Sequence, residues 1–155
     1  MKRRVGAAIV LLSLVLVGCG PAVPVSTEIK QEVEENDTMN ININGQVASV
    51  QLEDNTTTKA ILANMPFTIQ MDDLHQNEKY HYFDKSFPVS PQPIQTIEAG
   101  DVLLYQNNCL VIFYKSAKPV ASYTRIGKIS RFQDIRASFG NASVSVQWYE
   151  GEGGE

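Results

Sequence analysis

The sequence predicts a mainly β domain, a barrel or a sandwich, built from about eight short strands and two short helices. Three observations carry this. Apolar and polar residues alternate with a period of two in several runs, as in Met39-Asn-Ile41-Asn-Ile43 and Val144-Ser-Val146-Gln-Trp148. Turn-forming pairs punctuate the runs: Asn44-Gly45, Gly100-Asp101 and Gly140-Asn141. Two further runs, Val102–Tyr105 and Cys109–Tyr114, are almost continuously apolar, the pattern of strands buried on both faces.

Taken in order, Met39–Ile43 and Gln46–Glu53 flank Asn44-Gly45. That pair supplies the positive φ angles of a type I′ turn, so the two runs form a hairpin. Asp54, Asn55 and Thr56 offer side-chain oxygens to the start of a short helix over Thr56–Asn64, with Ala60, Ile61 and Met65 facing inward. Pro66 ends it, because the residue before a proline avoids helical angles. Phe67–Met71 is the next strand, residues 72–77 are expected to be a loop, and Lys79–Phe83 is strand again. Asp84–Thr96 carries Pro88, Pro91 and Pro93 and is expected to be a long loop, a feature that is uncommon in a compact domain and often functional. Val102–Tyr105 and Cys109–Tyr114 pair across Gln106-Asn-Asn108. Ala121–Ile129 is a strand, Phe132–Phe139 a short helix stopped by Gly140-Asn141, and Ser143–Tyr149 the closing strand.

The chain begins with an address. Lys2, Arg3 and Arg4 precede an apolar run from Val5 to Val17, too short for a membrane span of about 20 residues and the length of a secretory signal. The run ends in Leu16-Val17-Gly18-Cys19, which resembles the bacterial lipobox. That resemblance implies cleavage before Cys19, a diacylglyceryl thioether on its sulfur, and a protein anchored in the bacterial cell envelope and facing away from the cytoplasm. Two acyl chains suffice for stable anchoring at about 0.8 kcal/mol per buried methylene. The expected organisation is a signal peptide at 1–18, an acidic flexible tether at 19–37, a folded domain at 38–149 and an acidic disordered tail at 150–155. As a coil the 18 residues 20–37 span about 23 Å; a short helix over 27–35 is the alternative for part of them.

Charge narrows the partners. Residues 38–149 hold nine acidic and nine basic residues and no Lys/Arg cluster. A neutral domain of this kind lacks the phosphate-neutralising surface that nucleic-acid binding needs. Cys109, the second of two cysteines, has no partner if Cys19 is lipidated, and its apolar neighbours suit a small buried hydrophobe rather than a reactive thiol. Asp72, Asp73 and His75 could be weak metal ligands, but Asp-Asp-Leu-His is more often a polar turn and His81 is the only other histidine, so no metal is expected, and no cofactor either. No His-Glu-x-x-His, Cys-x-x-Cys, P-loop, G-x-G-x-x-G or G-x-S-x-G motif is present.

Several stretches together resemble the small bacterial cyclophilin-like domains. They are Met39–Gly45, Leu52-Glu-Asp-Asn55 through Thr58-Lys59-Ala60, Met65-Pro66, Asn77-Glu-Lys-Tyr-His-Tyr82, Gly100-Asp101-Val-Leu-Leu-Tyr105, Asn108-Cys-Leu-Val-Ile-Phe-Tyr114 and Ser122-Tyr-Thr-Arg-Ile-Gly127. The resemblance covers essentially all of 38–149 and implies a closed eight-stranded antiparallel barrel with two short helices capping its ends. Closure leaves no exposed strand edges, so the domain is expected to be monomeric. True cyclophilins are peptidyl-prolyl isomerases whose arginine sits in a Phe-His-Arg stretch, followed by Phe-Met-x-Gln-Gly-Gly-Asp. Neither stretch occurs here, and fold resemblance alone does not carry activity.

A substitute site is nonetheless legible. Tyr80 and Tyr82 alternate onto one strand face, Tyr123 and Arg125 lie on another strand, and Phe113 or Tyr114 completes an aromatic groove. The competing reading has these aromatics in the core and Arg125 paired with a carboxylate on the barrel wall. The functional expectation is a membrane-anchored, non-catalytic binding module for a peptide, a small ligand or an envelope partner. The alternative is a divergent prolyl isomerase in which Arg125 stabilises the twisted amide.

Overall fold

The computed structural model describes residues 38–151. The signal peptide, Cys19, the tether with its alternative helix at 27–35, and the tail beyond Gly151 lie outside the described residues. The strands are β1 (Thr38–Ile43), β2 (Gln46–Leu52), β3 (Phe67–Leu74), β4 (Glu78–Tyr82), β5 (Asp101–Tyr105), β6 (Cys109–Phe113), β7 (Tyr123–Ile129) and β8 (Val144–Glu150). They close in the order β1-β2-β7-β5-β6-β4-β3-β8, with every pairing antiparallel. The closed barrel displaces the sandwich alternative. Closure leaves no exposed strand edge for another chain to extend.

The first hairpin turns at Asn44 and Gly45, with φ of 52° and 82°. The Asn42 side-chain oxygen accepts from the Gly45 N–H at 2.9 Å. Helix α1 (Thr56–Leu62) starts on Asn55, whose Oδ1 accepts from the Thr58 N–H at 2.9 Å. The Asn55 amide also donates to the Arg125 carbonyl at 2.8 Å, so the cap that starts the helix fastens it to β7. Ile61 is buried as expected, while Ala60 and Met65 are only partly buried against the core. The helix ends two residues earlier than its pattern predicts, with Ala63 as its C-cap.

Of the loop expected at 72–77, only residues 75–77 are a turn; 72–74 are strand. β3 continues through Leu74, pairing Asp72 with Tyr80, Asp73 with Lys79 and Leu74 with Glu78, and the chain reverses at His75 and Gln76 with φ of 54° and 53°. Aspartate has poor strand propensity, but Asp73 is held here by tertiary partners. Its carboxylate accepts from Lys79 Nζ at 2.7 Å, from the Tyr114 hydroxyl at 2.6 Å and from the Gln76 N–H at 2.9 Å. Lys79 is fully buried, donates also to the Ala142 carbonyl at 2.7 Å, and lies 5.1 Å from the centre of the Tyr114 ring. Burial alone would raise the Asp73 carboxyl, but its three donors and the Lys79 charge outweigh that and hold it below the ordinary value. Burial and the bond to Asp73 push the Tyr114 hydroxyl well above its own.

The expected helix over 132–139 splits into α2 (Phe132–Ile135) and a 3-10 turn (Arg136–Phe139). No side chain caps α2, since Arg131 stands at its N-cap with φ 47°. The tighter turn brings Phe139 within 5.4 Å of the Phe132 ring and 6.1 Å of Tyr114, closing one part of the core.

Two apolar clusters follow from strand parity. Leu110 and Ile112 face the barrel interior with Ile41, Val102, Ile126 and Trp148. Cys109, Val111 and Phe113 face outward with Leu103 and Tyr123. The stretch expected as a loop at Asp84–Thr96 has no helix or strand but is fastened down: Phe87 packs into the inner cluster, and from Gln92 the chain is a strap over that outward face. Ile94 and Ile97 pack into the outer cluster, and Gln92 and Ile97 form isolated bridges to Tyr123 and Ala117. Thr57 Oγ1 donates to the Pro88 carbonyl at 2.7 Å and the Ser90 N–H donates to Thr124 Oγ1 at 3.2 Å. The strap is why β5 and β6 read as continuously apolar.

Candidate functional site

The outer wall of β4, β6, β5 and β7 carries the candidate site. Register sets its rows. Tyr82 stands opposite Cys109, Cys109 opposite Tyr105, and Tyr105 opposite Tyr123. The next row places Tyr80 beside Val111 and Leu103, and the third places Glu78 beside Phe113. Apart from Leu103 and Phe113, which lie beneath, these side chains line a groove of about 420 Å³ together with Leu74, Val120 and Ala121.

Two ring pairs frame the groove. Tyr80 and Tyr82 meet edge to face at 5.9 Å, and Tyr105 and Tyr123 tilt at 50° with centroids 5.8 Å apart. Three of the apolar residues at the groove are exposed: Leu74, Tyr82 and Val120, the last at 92%. Cys109 lies in the groove wall. Burial, helped by Glu78 and opposed by a hydrogen bond with Tyr82, pushes its thiol up to about 11. At neutral pH it is a protonated, apolar surface element rather than a nucleophile.

The structure brings Tyr80, Tyr82 and Tyr123 of the expected groove together. Phe113 lies beneath it, buried, with its ring 6.1 Å from Tyr123. Tyr114 is on the other side of the wall, stacked on Phe139 and bonded to Asp73. Arg125 lies apart as well. Its guanidinium is 3.8 Å from the buried Asp101 carboxylate, in a polar cleft of about 610 Å³ with Glu98 and Lys128. Lys128 pairs with Glu98 and stands 3.7 Å from Asp101. Burial opposes but does not cancel the raising of the Lys128 ammonium by Glu98 and Asp101, and Lys128 in turn holds the Glu98 carboxyl down. Among the described residues, none lines both the cleft and the groove.

A register shift between Val102 and Leu103 adds a residue to β7 opposite β5; Arg125 shares the outward face of Tyr123 by regular alternation, and Ile126 is buried in the inner cluster. Tyr105 and Glu78 were not singled out in the sequence. Tyr105 was within reach there, because a three-residue turn at 106–108 places it opposite Cys109, and Glu78 continues the Tyr80–Tyr82 alternation by two residues. The acidic candidates for metal are otherwise engaged: Asp72 accepts from the Ser143 hydroxyl at 2.7 Å, and Asp73 serves Lys79 and Tyr114.

A profile of the cyclophilin-like family matches residues 41–149. The chain belongs to the cyclophilin-like family. The solution structure of a hypothetical protein from Archaeoglobus fulgidus is similar, with a TM-score of 0.57 and 16% sequence identity over 75% of this chain and 95% of that one. At that identity the likeness concerns the fold alone. No curated protein matches the chain. The cyclophilin-like domain thus presents two separate surfaces: an aromatic groove able to take apolar or aromatic groups, and a charged cleft in which Arg125 is engaged by Asp101.

Proposed function

We propose that this protein is an exported lipoprotein whose cyclophilin-like domain binds a peptide or other ligand in the aromatic groove without catalysing prolyl isomerisation. The observation that carries the reading is the separation of Arg125 from the groove. Isomerase chemistry of the cyclophilin kind needs an apolar pocket for the proline ring and a guanidinium beside it to stabilise the twisted amide. Here the aromatic wall and the guanidinium line different cavities, and Asp101 holds the latter. Aromatic rings in a partly exposed groove, rimmed by Leu74 and Val120, are the usual anchors of a binding site.

The test is a titration of the full chain with proline-containing peptides. Tyr82→Ala is expected to weaken binding about tenfold, the effect of losing one anchor ring, and Arg125→Ala to leave it unchanged. Equal loss in both variants would move the ligand toward the charged cleft and contradict the reading.

Anchoring rests on Leu16-Val17-Gly18-Cys19 and on the basic and apolar segments before it. In the proposed arrangement Cys19 carries the lipid, and residues 20–37 hold a monomeric domain off the outer side of a bacterial membrane. Cys19→Ala is expected to leave an uncleaved precursor or to release the product into the soluble fraction. Mature wild-type protein recovered soluble and unlipidated would contradict it.

A further inference from the structure

The groove holds an asymmetry of charge that its apolar character hides. Among the described residues lining it, Glu78 is the only charged one. No described side chain hydrogen-bonds or ion-pairs with its carboxylate; every ion pair of the domain lies elsewhere. Its neighbour Lys79 points into the barrel and serves Asp73. Burial, with the Asp73 charge adding to it, raises the Glu78 carboxyl, and His75 offsets this only in part. A half-buried carboxylate in a low-dielectric wall favours a cation.

The rings point the same way. Four tyrosines, Tyr80, Tyr82, Tyr105 and Tyr123, stand around the groove in two pairs at steep angles to one another. Aromatic faces carry negative electrostatic potential, and a positive group held against such a face is attracted to it. The remaining walls, among them Val111, Val120 and Ala121, offer few acceptors. A primary ammonium or a guanidinium would exchange a strong hydration shell for the Glu78 carboxylate and the tyrosine hydroxyls, whereas a quaternary ammonium has no N–H donor to satisfy and sets its methyl groups against these apolar walls.

Building on the binding role of the groove, we propose that its ligand is an alkylated ammonium on a short apolar stem, with the charge between the tyrosine rings and the Glu78 carboxylate. The groove volume of about 420 Å³ leaves room for the stem along Val111 and Val120.

The test uses the full chain and three small probes: choline, its neutral isostere 3,3-dimethylbutan-1-ol, and ethanolamine. Tyrosine ring resonances are followed by NMR. Choline is expected to shift Tyr80, Tyr82, Tyr105 and Tyr123 saturably, and to bind at least tenfold more tightly than either other probe. Glu78→Gln is expected to remove most of the choline preference while leaving the weak binding of the neutral isostere unchanged. Equal affinity for choline and dimethylbutanol would overturn the proposal and leave an apolar groove. Preference for ethanolamine would overturn the alkylated head group. If all three probes fail while proline peptides still shift the tyrosines, the cation is wrong and the groove stands. If the peptides fail too, the groove reading falls with it. The isostere comparison needs no variant, so a folding defect in Glu78→Gln does not blunt the test.

Discussion

Asp73→Asn is expected to lower unfolding free energy by about 3–5 kcal/mol, the cost of leaving one member of a buried ion pair without its partner. Lys79 is fully buried, and besides Asp73 it has only the Ala142 carbonyl as a hydrogen-bond acceptor. The same substitution weakens the anchor for the Tyr114 hydroxyl. Urea denaturation followed by circular dichroism reads the loss as a fall in the midpoint at unchanged slope. The pH dependence separates this from a mere packing defect. The folded Asp73 carboxyl lies below its ordinary value of 3.8. Its contribution is therefore fully present above that value and is lost as pH falls through the lower folded one. Wild-type protein should lose stability steeply below about pH 4, and Asp73→Asn should lack that part of the slope. Equal acid sensitivity in both would show that the pair does not hold this end of the barrel.

Gly127→Ala is expected to open the barrel at β2–β7, one of its two shortest seams. β2 and β7 share only three register pairs, Val50 with Ile129, Gln51 with Lys128 and Leu52 with Gly127. A Cβ on Gly127 would stand 2.3 Å from the Gln51 carbonyl oxygen and 3.0 Å from Val50 Cγ1. The nearest obstacle is backbone, so no rotamer change relieves it. The cost is placed at the upper end of overpacking, about 3 kcal/mol. Amide exchange should report it locally, through faster exchange of the Glu53 N–H that donates to the Ile126 carbonyl at 2.9 Å. A variant as stable as wild type, with that amide still protected, would mean that the seam tolerates separation.

The parts of the fold that local chemistry decides were legible in the sequence. Asn44-Gly45 allows few backbone shapes, and Val144–Trp148 alternates without a break, so their hairpin and strand were plain. The strand character of Asp72–Leu74 was not, because it depends on Tyr114 and Ala142, 41 and 69 positions beyond Asp73 in the chain. The groove was half legible for a related reason. In Cys109–Tyr114 every residue is apolar or nearly so, and alternation cannot say which face is outside. Phe113 and Tyr114 were thus equal candidates, although one lies under the groove and the other across the wall from it. Arg125 follows Tyr123 by two residues and should share its face. It does, but the buried Asp101 and the strap at 94–98 draw it into a different cavity, and nothing local to Arg125 announces that.

Binding without catalysis is the central claim, and exchange NMR on the full chain with a proline-containing peptide tests it most directly. One sample gives both the cis–trans interconversion rate and the shifts at the protein. The account predicts saturable shifts at Tyr82 and Tyr123 with the interconversion rate of the peptide unchanged at high protein concentration. Acceleration that disappears in Arg125→Ala would contradict it and make the charged cleft a catalytic site.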